Sequence, residues 1–177
     1  PHAGSAVGDV ITSATKQKEG HYLIKGTKQF ITNGDHDMAD NIVHLLLART
    51  PNSQKGTKGI SLFIVPKIRP NGEQNDIKLV SIEHKMGING SPTCLLSFGD
   101  NDECHGYLLE AENMGMEQMF KLMNEARLLV GLQGLAGASA AVQNAWAYAN
   151  ERTQGPSSIH PGEKASIIEF PDVRRML

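Results

Sequence analysis

The chain has 177 residues, 40% of them hydrophobic and 20% charged, with 17 basic and 19 acidic side chains and a formal net charge of −2. This balance fits a soluble globular protein of one or two domains and excludes a bulk electrostatic pull toward nucleic acid or an anionic membrane. The two cysteines, Cys94 and Cys104, lie outside any CxxC or Cys/His spacing and no charged-plus-apolar leader is visible, so a reducing, cytoplasmic home is expected.

The sequence opens with "PHAGSAVGD", where Gly4 and Gly8 bracket the hydroxyl of Ser5. Such a segment can turn backbone N–H groups toward a phosphate or a cofactor edge, or can be a plain loop. Five apolar or alternating runs come next and predict strands: "HYLIKGTKQFIT" (21–32), "NIVHLLLART" (41–50), "GISLFIVPK" (59–67), "DIKLVSIEH" (76–84) and "TCLLSF" (93–98). Turn clusters such as "TPNSQKGTKG", "RPNGEQND" and "INGSP" separate them. The spacing predicts an antiparallel barrel or sandwich, and the absence of βαβ alternation argues against a Rossmann-type sheet.

Within the first run, "KQFITNG" places an aromatic ring, an aliphatic chain and a hydroxyl in succession. In a strand Phe30 and Thr32 share one face and Ile31 takes the other. Two readings fit: a core phenylalanine beside a turn threonine, or a ring and a hydroxyl flanking a flat hydrogen-bonding ligand. The next stretch, "GDHDMADN" (34–41), gathers Asp35, Asp37 and Asp40 around His36. Ala39 breaks the acid spacing a calcium loop needs, so a solvated turn is expected and no metal site is assigned. The other histidines, among them His21, His44, His84, His105 and His160, are scattered and are expected at the surface or hydrogen-bonded.

From about Asn113 the period becomes helical, with Met116, Met119, Phe120 and Met123 on one face. Gln133, Gln143, Asn144 and Arg127 make this run too polar for a membrane span. Gly131, Gly134 and Gly137 recur every three residues, which suits close helix packing or close approach by a ligand. Arg127 shares the apolar face, so partial burial is expected, against Glu110, Glu112 or Glu125 or against an anionic ligand. A loop, "TQGPSSIHPGEK" (153–164), then leads to a second helix expected over 165–177, "ASIIEFPDVRRML". Two helices joined this way read as the opening of a helical bundle. The expected fold class is α+β and multi-domain: an antiparallel β-barrel domain over residues 1–108, then the first helices of a helical-bundle domain over 109–177.

Taken in order, "PHAGSAVGD", "IKGTKQFITNG", "GISLFIVPK", "EHKMGINGSPT", "ENMGMEQMFKLMNEARLLVGLQG" and "YANERTQG" resemble the acyl-CoA dehydrogenase family, and most of all a large bacterial subgroup of it. The resemblance covers the whole chain and implies a piece of a longer FAD-dependent enzyme. Such an enzyme oxidises the Cα–Cβ bond of an acyl-CoA thioester to the trans-2-enoyl-CoA and passes electrons to an electron-transferring flavoprotein. A homo-oligomer, dimer or tetramer, is implied as well. A non-catalytic acyl-CoA-binding or partner-binding relative and an acyl-CoA oxidase are the alternatives.

Carried over by motif, Gly4 and Ser5 match the end of the family's T-E-x-x-A-G-S flavin segment, and Ser5 is implied at the substrate too. Phe30, Ile31 and Thr32 match the W-I-T/S triplet that lies against the flavin ring, with phenylalanine in place of the commoner tryptophan. Arg127 matches an arginine lining the acyl-CoA site, and Arg152 one that reaches FAD across a subunit interface. The position before Arg127, where some members carry the catalytic glutamate, holds Ala126, and Glu125 points about 100° away around the helix. No catalytic base is therefore assigned here; it is expected beyond Leu177, and the piece by itself is expected to be inactive.

Overall fold

The computed structural model describes residues 4–177, so the first three residues of "PHAGSAVGD", His2 among them, lie outside the described residues. The chain divides into two compact units, Pro1–Lys121 and Leu122–Leu177.

The first unit is built on seven strands: β1 (Ser13–Lys16), β2 (Tyr22–Thr32), β3 (Val43–Ala48), β4 (Ser61–Pro66), β5 (Ile77–Ile82), β6 (Thr93–Phe98) and β7 (His105–Leu108). All five strands expected from the apolar runs are present. β1 and β7 were not legible, because "SATK" and "HGYL" are too short and too polar to show alternation. The strands pair antiparallel in the order β3-β4-β7-β2-β6-β5 with β1 added to β2, and a parallel bridge joins Ser13 to Arg49. Beyond β1, Ala14 N–H donates to Arg49 C=O and Arg49 N–H to Thr12 C=O, both at 2.8 Å. These two bonds join β1 to the end of β3, so β3, β4, β7, β2 and β1 form a closed ring from which β6 and β5 extend.

The core arises from the alternation of the strands. Ile24, Leu46, Phe63, Val65, Leu96 and Phe98 are almost wholly buried and pack in one cluster with Tyr22 and both cysteines. Phe63 meets Tyr22 edge to face at 5.0 Å. Cys104 is a buried thiol whose pKa burial pushes up to about 12, the behaviour of a packing residue rather than a nucleophile.

β4 is buried along nearly its whole length, and the chain past β7 continues along its edge. Leu109 N–H donates to Leu62 C=O, Asn113 N–H to Ser61 Oγ and Gly115 N–H to Ile60 C=O, at 2.9, 2.8 and 2.9 Å. A Cβ on Gly115 would lie 2.7 Å from the Ser61 carbonyl carbon, so only glycine permits this approach. Glu112 in the same segment accepts from Tyr22 Oη and Thr50 Oγ1, each at 2.9 Å. Burial and this carboxylate raise the Tyr22 pKa.

Helix α1 runs Gly115–Glu151, close to the start expected from its periodicity. The second unit holds the rest of α1, a hairpin of β8 (Thr153–Pro156) and β9 (Lys164–Ser166), and the short helix α2 (Pro171–Met176). The loop expected over 153–164 thus contains a strand, and the helix expected over 165–177 begins only at Pro171. Two local features decide this. Ser166 and Glu169 form a reciprocal capping box around a single 3-10 turn, and Pro171 lacks the N–H a helix continuing from that turn would need. Residues 120–148 of α1 are all exposed, with Leu128, Leu129, Val130, Leu132 and Leu135 each at least 60% accessible.

Truncating the centre of the first unit tests this packing. Phe63→Ala is expected to lower stability by about 3 to 5 kcal/mol, read as a shift of the urea midpoint with an unchanged slope. A loss under about 1 kcal/mol would show that Phe63 is not a central packing residue.

Candidate functional site

The strand that carries "KQFITNG" is not regular. β2 pairs with β6 as Lys28↔Leu96 and then Ile31↔Cys94, so three steps on β2 face two on β6 and one residue is extra. The bulge is absorbed at Phe30, whose φ is +60°, a value rare for an aromatic side chain. The consequence is exposure: Phe30 is 67% accessible, while Ile31 turns inward against the core cluster and Thr32 is exposed again. The core-phenylalanine reading is thereby corrected, because the ring lies outside the barrel.

The residues just past the triplet are held tightly. Asn33 N–H donates to Pro92 C=O at 2.8 Å, and Ser91 Oγ donates to Asn33 Oδ1 at 3.0 Å. Lys85 Nζ gathers the carbonyls of Ile88 and Ser91 at 2.9 and 2.6 Å. "FITNG" and "EHKMGINGSPT" are therefore one structural feature. Gly34 sits beneath it, where a Cβ would come within 2.9 Å of Cys94 Cβ.

Beside the bulge lies a cleft of about 600 Å³ lined by Gly4, Val10, Lys28, Phe30, Ile31 and Leu47 among others. Its far wall is the segment that opens the described chain, brought close at Gly26, where a Cβ would meet Thr12 Oγ1 at 2.7 Å. Across it, Lys28 Nζ donates to Leu47 C=O at 2.9 Å, linking β2 to β3. Burial lowers the Lys28 pKa to about 8.

The structure thus brings Gly4, Phe30 and Ile31 to one cleft, with Ser5 and Thr32 each one residue from a lining position and both exposed. Arg127 and Arg152 belong to the second unit. Arg127 is exposed rather than partly buried, and its Nη1 donates to Asn124 Oδ1 at 2.9 Å. Two of the acids considered for it hold other partners: Glu112 takes Tyr22 and Thr50, and Glu110 accepts from Gln118 Nε2 at 3.2 Å. Arg152 anchors the end of α1 through its backbone, with its N–H on Tyr148 C=O and its C=O accepting from Ile167 N–H, both at 2.8 Å.

In the acidic stretch, Asp35 pairs with Lys67, and His36 Nδ1 accepts from Met38 N–H at 3.2 Å. His44 departs from the surface expectation. It is half-buried edge-on to Phe98, its Nε2 has no hydrogen-bond partner among the described residues, and burial lowers its pKa. Lys28, Val10 and Leu47 were missed as site residues, since only the bulge and the ring closure bring them to the cleft.

A β-barrel with a bulged strand that presents an aromatic ring beside a cleft, followed in the chain by a long helix, is the class that the fold defines. Sequence comparison makes that class specific: the acyl-CoA dehydrogenase middle domain matches residues 1–101 and the acyl-CoA dehydrogenase C-terminal domain matches residues 113–177. The chain belongs to the acyl-CoA dehydrogenase family. It is 45% identical, over its full length, to 3-methylmercaptopropionyl-CoA dehydrogenase of Ruegeria pomeroyi, and 47% identical to a butyryl-CoA dehydrogenase of Syntrophomonas wolfei. It spans 31% of the length of each of these relatives. Among solved structures, an acyl-CoA dehydrogenase of Bacillus anthracis complexed with FAD superposes with a TM-score of 0.75 at 29% identity, over 98% of this chain and 26% of that one.

Two measurements check the site without a ligand. At φ +60° glycine is the unstrained residue, so Phe30→Gly should be more stable than Phe30→Ala by about 1 kcal/mol, reversing the usual strand preference for alanine. Equal stabilities, or a more stable alanine variant, would remove the strained conformation.

For Lys28, the folded state favours the neutral amine, so between pH 8 and 10.5 the unfolded chain holds more protons and stability rises with pH. Relative to Lys28→Met, the wild type should gain roughly 3 kcal/mol across that window, at about 1.4 kcal/mol per unit of pKa. Parallel stability curves would place Lys28 in water.

Proposed function

We propose that the full-length protein is an FAD-dependent acyl-CoA dehydrogenase, which removes two hydrogens across the Cα–Cβ bond of an acyl-CoA thioester. The observation that carries this reading is the exposed, conformationally strained Phe30 at the edge of an apolar cleft, in a chain of this family. These residues fit a flat ring system. Phe30 offers an aromatic face, Val10, Ile31 and Leu47 line the cleft with aliphatic surface, and Gly4 adds no side chain to its wall.

When bound, the flavin supplies the acceptor for the β-hydrogen and its electron pair. Phe30 would cover a ring face with less area than a tryptophan and without an indole N–H. The Thr32 hydroxyl and nearby backbone would hold the ring edge, and Gly4 and Ser5 would complete the wall, with Ser5 also reaching the substrate. Arg127 holds the acyl-CoA through a charge-assisted contact, and Arg152 reaches FAD of a neighbouring subunit in a homo-oligomer. The α-proton passes to a glutamate outside residues 1–177, because Ala126 stands where some relatives carry the base and Glu125 is turned away around the helix. On this reading residues 1–177 alone do not turn over substrate. They comprise the barrel domain, 1–108, and the start of the helical domain, 109–177, whose exposed apolar side chains pack against the rest of the bundle. Electrons leave to an electron-transferring flavoprotein in the cytoplasm. Among the described residues no helix is long and apolar enough to cross a membrane.

The purified full-length protein should show a flavin absorbance band that bleaches on anaerobic addition of butyryl-CoA or another acyl-CoA. A colourless protein that takes up no added FAD would sink the proposal, and rapid reoxidation by oxygen would reassign it as an oxidase. Thr32→Val should weaken FAD binding by about 0.5 to 1.5 kcal/mol, the net value of one hydrogen bond. An unchanged affinity together with an unchanged rate of flavin reduction would take the hydroxyl out of the site.

A further inference from the structure

The wall of the cleft formed by residues 4–11 has little to hold it. Gly4, Ser5 and Ala6 are exposed, Ile11 is 67% accessible, and among the described residues the backbone bonds of the turn over Val7–Asp9 are Asp9 N–H to Ala6 C=O and Val10 N–H to Val7 C=O. The strand ladder takes over at Thr12.

One side chain bridges this wall to the barrel. Arg49, half-buried just beyond β3, donates from Nε to Val10 C=O at 2.7 Å and from Nη2 to Gly8 C=O. From the same guanidinium, Nη1 reaches Gln54 C=O at 2.8 Å and Nη2 reaches Gly56 C=O at 2.7 Å, both in the loop between β3 and β4. All three nitrogens are thus used on four backbone carbonyls from two loops. Among the described residues no carboxylate lies within 4.0 Å of it, so its partners are the peptide dipoles alone. The two loops also touch directly, since a Cβ on Gly8 would lie 3.6 Å from Gly56 Cα.

We infer that Arg49 is a positioning residue for the cleft: its guanidinium fixes residues 8–10, and with them the wall that carries Gly4, Val7 and Val10, at the distance from β2 that a bound ligand requires. That the ligand is a flavin rests on the function proposed above; that Arg49 sets the wall does not. Only a planar fork with separated donors can serve both loops. A lysine places its three N–H groups on one atom and cannot span carbonyls on opposite sides of the guanidinium. Arg49→Lys should therefore fail in the same way as Arg49→Met. The core is untouched by either change, because Phe63, Leu96 and Phe98 pack elsewhere in the barrel.

The test uses the full-length protein stripped of flavin. The two hydrogen-bonded amides of this wall, Asp9 and Val10, should exchange at least about tenfold faster in both variants, read by mass spectrometry of the peptide that contains them, while β4 and β6 keep their protection, as expected when one local tether and not the global fold is lost. Titration with FAD should show a dissociation constant raised about tenfold or more, the equivalent of at least one lost charge-assisted hydrogen bond. Unchanged exchange at Asp9 and Val10, loosening spread through β4 and β6, or full rescue by lysine would each overturn the inference. If the wild type takes up no FAD, the flavin reading falls, and the exchange result alone decides for or against Arg49.

Discussion

The site depends on one extra residue in β2. Because three steps from Lys28 to Ile31 face two steps from Leu96 to Cys94, the strand must place one residue outside its ordinary alternation, and Phe30 takes the left-handed conformation that absorbs it. A left-handed aromatic residue is destabilised by the order of 1 to 3 kcal/mol and persists only where its surroundings impose it. Those surroundings are visible on both sides: Ile31 is anchored in the core, and Asn33 and Gly34 are fixed against the loop of residues 83–92 and against Cys94. Local strain is held by packing that has no freedom to relax it.

The barrel then divides its labour between rigid and lightly held parts. The segment 109–115 hydrogen-bonds along the edge of β4, and Asn75, buried, ties the ends of β4 and β7 through Pro66 C=O and both backbone groups of His105 at 2.8 Å. The opposite side of the cleft is a short irregular segment held, among the described residues, by β1, by the buried Val10 and by the Arg49 guanidinium. A ligand that entered there would meet a firm floor on β2 and a wall whose place is set by a few polar contacts. This division is common where a scaffold presents a binding loop.

Legibility tracked the length and regularity of each pattern. The five long apolar runs identified their strands because apolar side chains recur over at least six residues; in β6 buried and partly buried positions also alternate along the whole strand, whereas β5 is exposed at every position after Ile77. The four-residue strands β1 and β7 carry too few positions for a period, and the hairpin of β8 and β9 hides in a loop-like composition. Arg127 illustrates a different gap: periodicity correctly set it on the face of Met123 and Phe120, yet that face is exposed, since a helical stripe says which residues share a side and not what covers it.

The sequence by itself determined the family, the order of barrel and helix, and the residue types that a flavin-binding reading needs, because these are properties of motifs read along the chain. Only the tertiary structure decided that Phe30 is exposed and strained, that "FITNG" and "EHKMGINGSPT" form one feature, and that Arg49, Lys28 and Leu47 belong to the neighbourhood of Gly4 and Val10. The physical reason is that each of these relations is non-local. A bulge is defined only against the partner strand, a guanidinium finds its carbonyls only where two loops meet, and a buried lysine is recognised only when the ring that buries it has closed.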